Sequence, residues 1–279
     1  MMTIKKIGLF SLVLALTQMA GGFSFAASSD CKPKHDLKTV EDGVLTVAAY
    51  QAPPYIGIED NKLVGVDGEV LARIAELNCL KAKPMALDIA AVIQAVQSGR
   101  ADVASGDWYL SKSRAKVMGV TEPIYRDNLS IVSPSGFKTL DALVGKRVGT
   151  LQGNMWNDDL QKLIGSTFTL YQSQQSVYTD LKNGRLDAVI DAAASSPAQL
   201  KLLDIKAEVT VPPPDKRVGQ SLKPALNTFP IKKGNDELVK AINDGIKEMR
   251  DSGELKAIFD KYGFPEALRK LPDPIYLIE

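Results

Sequence analysis

Two similar phrases in this chain predict that it folds as two related α/β units. The first is Gly-Arg-Ala-Asp-Val-Ala at 99–104, and the second is Gly-Arg-Leu-Asp-Ala-Val-Ile-Asp at 184–191. In each phrase a glycine ends a helix-like segment, and an aspartate leads into a short apolar run. This pattern is typical of a helix that is followed by a buried strand.

The segments around the two phrases extend the same pattern. In the first unit we expect a strand at 45–49, a helix at 68–77, a strand at 85–87, a helix at 89–98 and a strand at 103–105. In the second unit we expect a strand at 146–150, a helix at 155–163, a strand at 168–170, a helix at 176–181 and a strand at 188–190. Alternation of this kind predicts a mostly parallel sheet flanked by helices, with a ligand beyond the carboxyl ends of the strands.

The N-terminus predicts export. Lys5 and Lys6 precede the apolar run 7–16, and small residues lead to Ala26. This arrangement is typical of a cleaved secretory signal peptide at 1–26. A membrane anchor is the less favoured alternative, because the run is shorter than the roughly 20 apolar residues that span a bilayer. We therefore expect a free periplasmic protein.

Charge and cysteine content narrow the possible functions. Loss of 1–26 removes two lysines from 34 basic residues, which leaves 32 bases against 33 acids, or a net charge of −1. A nearly neutral chain has no electrostatic attraction to nucleic acid or anionic membrane. Cys31 and Cys79 are expected to form a structural disulfide in an oxidising compartment. Two cysteines and the single His35 are too few for a metal site, so no metal or other cofactor is expected.

The two phrases and the order of elements resemble family 3 solute-binding proteins of polar amino-acid ABC importers, over about 45–264. The resemblance implies a type II periplasmic-binding-protein fold: two lobes, each a mostly parallel sheet with flanking helices, joined by two hinge strands. We expect a tail at 27–43, lobe 1 at 44–133 plus 226–279, and lobe 2 at 134–225. The implied function is capture of a small polar carboxylate-bearing solute, an amino acid or derivative, for an ABC permease. A non-catalytic monomer is expected.

The resemblance also implies ligand-binding residues in lobe 1. The arginine that holds the ligand carboxylate follows the strand-opening aspartate by twelve residues, which gives Arg114 after Asp102. A guanidinium matches a carboxylate with two parallel donors, which a lysine does not. The aromatic residue after the paired prolines, Tyr55, corresponds to a pocket-lining ring. Tyr50 stands near the position where binders of basic amino acids carry an acid, which argues mildly against a lysine or arginine ligand.

Asp107, Trp108 and Tyr109 replace the usual serine or threonine ahead of the arginine. Asp107 could accept hydrogen bonds from a ligand ammonium, and either ring could present an aromatic face to a cation. The alternative is that Asp107 caps the following turn and one ring lies in the core.

Lobe 2 is expected to contribute Gln152 and Asn154, in a turn before a helix whose free N–H groups favour an anion. The family's acid for the ligand ammonium falls at Ala192, one position after Asp191. Either the strand end is shifted by one residue, or this acceptor is lost.

An enzyme on the same fold is the alternative function. Cyclohexadienyl dehydratases are similar to these binding proteins and eliminate water and carbon dioxide from prephenate-like acids. Such an enzyme needs a general acid in the cleft, for which Asp107, Asp191 or Glu122 are the candidates.

Overall fold

The computed structural model describes residues 31–278, so the predicted signal peptide at 1–26 lies outside the described residues. The first half contains β1 Val44–Ala49, β2 Gly57–Glu59, β3 Lys62–Val64, α1 Val66–Leu77, β4 Lys81–Ala86, α2 Ile89–Gln97, β5 Val103–Ala104, β6 Trp108–Tyr109, α3 Lys112–Val117, β7 Met118–Gly119, β8 Arg126–Asp127 and β9 Leu129–Ser133. No helix in 31–278 has the length and apolar character needed to cross a membrane.

The second half repeats this plan and then returns to the first sheet. It contains β10 Val148–Leu151, α4 Asn157–Ile164, β11 Phe168–Tyr171, α5 Gln174–Lys182, β12 Ala188–Ala192, α6 Ser196–Leu202, β13 Glu208–Thr210, β14 Ala225–Thr228, β15 Ile231–Lys232, α7 Asp236–Ser252, α8 Glu254–Lys261 and α9 Glu266–Arg269. The predicted core strands and helices of both units are therefore present, with ends that differ by a few residues.

The two principal sheets have the same topology. The first has the strand order β4-β1-β5-β15-β7, and the second has the order β11-β10-β12-β9-β13. In each sheet the first three strands pair in parallel, and the fourth strand is antiparallel to both neighbours. Four strands of each sheet thus run in one direction, which confirms the predicted two-lobed α/β class with mostly parallel sheets.

A small antiparallel sheet, β6-β14-β8, carries the chain between the two lobes. β8 leads into β9, and β14 leads back into β15 of the first sheet. The predicted boundary at 133 assigned Leu129–Ser133 to lobe 1, but this strand pairs with β12 and β13 of the second sheet. The strands that pair with β9 are distant in sequence and are brought beside it only by the tertiary fold. The boundary between the lobes therefore moves to before Leu129. The remaining boundaries stay predictions.

Helices cover both faces of the first sheet. In the first lobe α1, α7 and α8 bury Val70, Ile74, Ile242 and Ile246 against one face. The other face is covered by α2 through residues such as Val92 and Val96. Burial of each such side chain contributes about 1.5–3 kcal/mol relative to exposure.

Both cysteines, Cys31 and Cys79, are disulfide-bonded, as the sequence predicts. Cys79 follows directly after the C-terminal cap of α1 at Asn78. The disulfide therefore joins the N-terminal tail to the end of this helix.

Candidate functional site

The candidate site is a small cavity of about 40 Å³ at the carboxyl ends of the parallel strands, here called the inner cavity. Its walls come from the turns after β1, β5 and β10 and from the end of β12. Eight of the nine predicted ligand-binding residues line it: Tyr50, Tyr55, Asp107, Trp108, Tyr109, Arg114, Asn154 and Asp191. The shared topology explains this convergence, because parallel strands end at the same sheet edge.

The turn after β5 presents Asp107 to the inner cavity. The carboxylate of Asp67, in the first turn of α1, accepts hydrogen bonds from the backbone N–H groups of Gly106 and Asp107, both at 3.2 Å. Gly106 has a φ of 121° and packs under the Tyr50 ring, where a Cβ would lie 2.5 Å from a ring carbon. Tyr50 also donates its hydroxyl to the Gly106 carbonyl at 2.8 Å. Only glycine fits at position 106, and the hydrogen bonds to Asp67 fix the orientation of the turn.

Asp107 has a carboxylate oxygen available for a ligand. Its Oδ1 is buried and has no hydrogen-bond partner in the structure. Burial raises the pKa of Asp107 well above its usual range, and the nearby carboxylates of Asp127 and Asp67 raise this pKa further. A buried acceptor without a partner is costly, so a cationic donor from a ligand would stabilise it.

Arg114 supplies the positive charge of the inner cavity. Ser111 caps α3 and accepts a hydrogen bond from the Arg114 N–H at 3.2 Å. The guanidinium donates to the Tyr109 carbonyl, and its Cζ lies 5.2 Å from the centre of the Trp108 ring. Burial lowers the pKa of Arg114 to about 10, so the side chain stays charged at neutral pH. Arg114 is therefore held on an aromatic face with donors left for an anion.

Asp191 lines the inner cavity, but its carboxylate is occupied by its own lobe. It accepts hydrogen bonds from Tyr178 and Ser195, both at 2.9 Å, and from Gln174 at 3.1 Å. The Ala192 N–H donates to its other oxygen at 2.8 Å. Asp191 thus stabilises the end of β12, and neither it nor Ala192 offers a free acceptor for an ammonium.

Asn154 and Gln152 have different positions in the turn after β10. The Asn154 amide donates to the Thr150 hydroxyl at 3.3 Å, and this residue lines the inner cavity. Helix α4 begins at Asn157, later than predicted, so Asn154 is not its cap. The prediction for Gln152 is wrong: its side chain is exposed and accepts a hydrogen bond from Gln172 at 2.5 Å. Successive residues at a strand end point to opposite sides, so a cavity-facing Leu151 turns Gln152 outward.

Tyr55 connects the inner cavity to the hinge. Its hydroxyl donates to Asp127 of β8, and Asp127 also accepts the N–H of Ala193 at 3.0 Å. Burial raises the pKa of Asp127 to about 7. Asp127 thereby bonds to the segment that follows β1 of the first sheet and to the segment that follows β12 of the second sheet. Among residues 31–278, no group of three or more His, Cys, Asp or Glu side chains is arranged to hold a metal ion.

Comparison with known proteins identifies the family. The pattern of the bacterial extracellular solute-binding proteins, family 3, matches residues 45–266. This chain belongs to that family. The match covers both principal sheets and the whole inner cavity of this family 3 protein, which confirms the resemblance inferred from the sequence.

Curated relatives of this family 3 protein are similar over most of their length. The probable amino-acid-binding protein YxeM of Bacillus subtilis is 27% identical over 85% of this chain and 90% of its own. The L-cystine-binding protein TcyJ of Escherichia coli K12 is 29% identical over 81% of this chain and 84% of its own. The solved structure of an ancestral arginine-binding protein bound to arginine is 26% identical, with a TM-score of 0.69 over 79% of this chain and 98% of that chain.

Several residues that line the inner cavity of this family 3 protein were missed by the sequence analysis. They are Met155, Trp156, Gln174 and Ser195, together with Ala52, Ile89 and Leu151. Gln174 opens α5 directly after β11, and Ser195 lies just before α6. Their positions after strand ends could have marked them, but their residue types carry no charge that would single them out.

Proposed function

We propose that this protein captures an α-amino acid, or a derivative that keeps both the amino and the carboxylate group, in the inner cavity. Arg114 binds the ligand carboxylate, and Asp107 binds the ligand ammonium. The observation that carries the proposal is the buried Asp107 Oδ1 without a partner, in the same small cavity as the Arg114 guanidinium. The ligand carboxylate is opposite in charge to Arg114, and the ligand ammonium is opposite in charge to ionised Asp107. These two attractions offset the free-energy cost of burying the two side chains.

The proposed arrangement differs from the pattern expected for the family. The ammonium acceptor comes from Asp107 of lobe 1, because the lobe 2 position is Ala192 and Asp191 is saturated by hydrogen bonds. Lobe 2 contributes Asn154, Trp156 and Ser195 to the opposite wall. A ligand that contacts both walls would favour the closed arrangement of the lobes, and no catalytic step is needed.

We further propose that the protein acts in the periplasm after removal of 1–26 and delivers its ligand to an ABC permease. The names of two relatives support this role, since one is a lysine/arginine/ornithine-binding periplasmic protein and another is ABC transporter arginine-binding protein 1, both of Escherichia coli K12.

The test is a ligand screen on protein that has been unfolded and refolded to remove carried ligand. Each α-amino acid is paired with the matching carboxylic acid that lacks the amino group, and thermal unfolding is followed. A ligand at 100 times its Kd stabilises the folded state by about 2.7 kcal/mol. We expect members of the amino acid set to raise Tm and the amine-free partners to have a much smaller effect. Equal shifts for both partners would contradict the assignment of Asp107.

The enzymatic alternative rests on the same carboxyl group. A raised pKa would let Asp107 donate a proton, as a dehydratase requires. This alternative predicts turnover of prephenate, which lacks an amino group, and loss of that turnover in Asp107→Asn. Binding of prephenate without product formation would argue against it.

A further inference from the structure

The inner cavity adjoins a second, larger space, here called the outer chamber. The outer chamber has a volume of about 590 Å³ and shares Tyr50, Ile89, Leu151 and Gln174 with the inner cavity. At 10–15 Å³ for each water, the 40 Å³ of the inner cavity holds about three water molecules. That volume suits the amino and carboxylate groups of an amino acid, and it leaves little room for a long side chain.

The walls of the outer chamber are almost free of charge. They include Gln51, Leu87, Gln172, Gln175, Gln199 and Leu202. The one charged residue among those lining it is Asp88, an exposed residue at the start of α2. Glutamine amides donate and accept hydrogen bonds without a net charge, and the leucines offer apolar contact. This combination fits a tail that carries methylene groups together with amide or hydroxyl groups.

Two hydrogen-bonded glutamines lie at the junction between the two spaces. Gln174 donates to Asp191 at 3.1 Å and accepts from Gln199 at 3.1 Å, so two buried amides form a fixed strip from one space to the other. Leu202, on the lobe 2 side of the outer chamber, is 70% exposed in the structure. Leu202 therefore offers apolar surface on the wall of the outer chamber, and covering it with an apolar part of a ligand would be favourable.

From these observations we propose that the ligand has a long uncharged tail attached to its amino acid head. The tail passes between Tyr50 and Gln174 and lies in the outer chamber, against Leu202 and the glutamine amides. This inference rests on the proposed function, since the head is placed by Arg114 and Asp107. It deepens that function by assigning a substrate class: amino acids extended by a neutral amide-bearing or hydroxyl-bearing chain.

The test is calorimetry on the refolded ligand-free protein with a graded set of ligands. The set contains alanine, glutamine, glutamine with an alkyl or hydroxyalkyl group on its side-chain amide, lysine and glutamate. We expect affinity to rise at least about tenfold from alanine to the substituted glutamine, with no such gain for lysine or glutamate. If lysine bound more tightly than the substituted glutamine, the proposal of a neutral tail would be wrong, and Asp88 would be the residue that favours a positively charged tail.

A pair of variants separates the tail from the head. Leu202→Glu should weaken binding of the substituted glutamine about fivefold or more and leave the affinity for alanine within about twofold of the wild-type value. The control is Leu222→Glu, at a leucine that is 48% exposed and does not line the outer chamber. This control should leave the affinity for both ligands unchanged. An equal loss for both ligands in Leu202→Glu would overturn the inference.

The outcomes also separate this inference from the function on which it rests. If alanine binds and the longer neutral ligands bind no better, the tail assignment fails and the proposed function survives. If no α-amino acid of any length binds, both fail.

Discussion

Arg114 and Asp107 place a guanidinium and a carboxyl group in the inner cavity, and the geometry of each group restricts what it can bind. Arg114 offers a planar pair of donors on a fixed aromatic support, the Trp108 ring at 5.2 Å. Asp107 offers one buried oxygen in a turn that Asp67 holds in place. A side chain with the same charge or the same shape would not reproduce both the charge and the geometry of the original. Conservative replacements of Arg114 and Asp107 should therefore weaken binding.

For Arg114→Lys we expect ligand affinity to fall by about 10- to 100-fold, because an ammonium cannot make two parallel hydrogen bonds to a carboxylate. Calorimetry measures this loss. Unfolding by denaturant is the control, and it should show that the variant remains folded. If Arg114→Lys bound the ligand with wild-type affinity, Arg114 would not be the residue that binds the ligand carboxylate.

For Asp107→Asn we expect an amino acid to lose affinity by about tenfold or more, since the ligand ammonium then donates to a neutral amide oxygen in place of a carboxylate. The amine-free analogue should bind at least as well as it binds to the wild type. Competition between the two ligands in each protein measures this difference. A parallel loss for both ligands would mean that Asp107 acts only through the structure of the turn.

The pH dependence of binding follows from the same residue. In the proposed complex the ligand ammonium binds the ionised form of Asp107, whose pKa in the free protein is raised by burial, by Asp127 and by Asp67. Affinity should therefore fall as pH decreases through this raised pKa, starting above the range of an ordinary aspartate. Titration calorimetry across pH measures the slope, and Asp107→Asn should flatten it. An unchanged slope in the variant would assign the effect to another group.

At the level of elements, β10 shows how tightly lobe 2 is packed. A Cβ on Gly149 would lie 2.6 Å from Leu186, 2.7 Å from Val177 and 2.9 Å from Tyr171. These three side chains come from different parts of the lobe and fill the space above the strand. Glycine is required here by close approach of neighbours, since its φ is not in the left-handed region.

We therefore expect Gly149→Ala to destabilise the protein by about 1–3 kcal/mol, the usual cost of overpacking a buried position. The matched control is Gly219→Ala, because a Cβ there would meet only an Asp159 oxygen at 3.7 Å. Chemical denaturation of both variants compares the free energies of unfolding. Equal stabilities for the two variants would show that lobe 2 relaxes around the added methyl group.

At the level of the whole molecule, the ligand-free protein buries carboxyl groups along the cleft and the hinge. Burial raises the pKa of Asp67 from 3.8 to about 6, and it raises that of Asp127 to about 7. A raised pKa means that the folded state holds the proton more tightly than the unfolded state. The stabilisation is complete below pH 4 and is lost as pH rises through the folded-state pKa.

We expect the free energy of unfolding of the ligand-free protein to fall between pH 4 and pH 7. The shift of Asp67 alone corresponds to about 3 kcal/mol. Denaturant titrations on stripped protein at several pH values measure this change, and Asp67→Asn should reduce it. A stability that rises with pH over this range would show that other titrating groups outweigh the buried carboxyl groups.

Much of the fold follows from local sequence patterns. The repeated glycine–aspartate phrases and the apolar runs predict the parallel strands and their helices, because burial of one helix face and of short strands leaves a periodic signal. The strands β13 and β15 leave almost no such signal, since they are two or three residues long and depend on their neighbours. The lobe to which β9 belongs also left no local signal, because its pairing with β12 and β13 is decided by the tertiary fold.

The sequence by itself determined which residues carry charge at the strand ends, and these include Arg114, Asp107 and Asp191. Only the tertiary structure decided which of these groups remain available to a ligand. Asp191 is bonded by Tyr178, Ser195 and Gln174, whereas Asp107 Oδ1 has no partner. The physical reason is that a residue type fixes the number of hydrogen bonds a group can make, and the packed neighbours decide how many are already made.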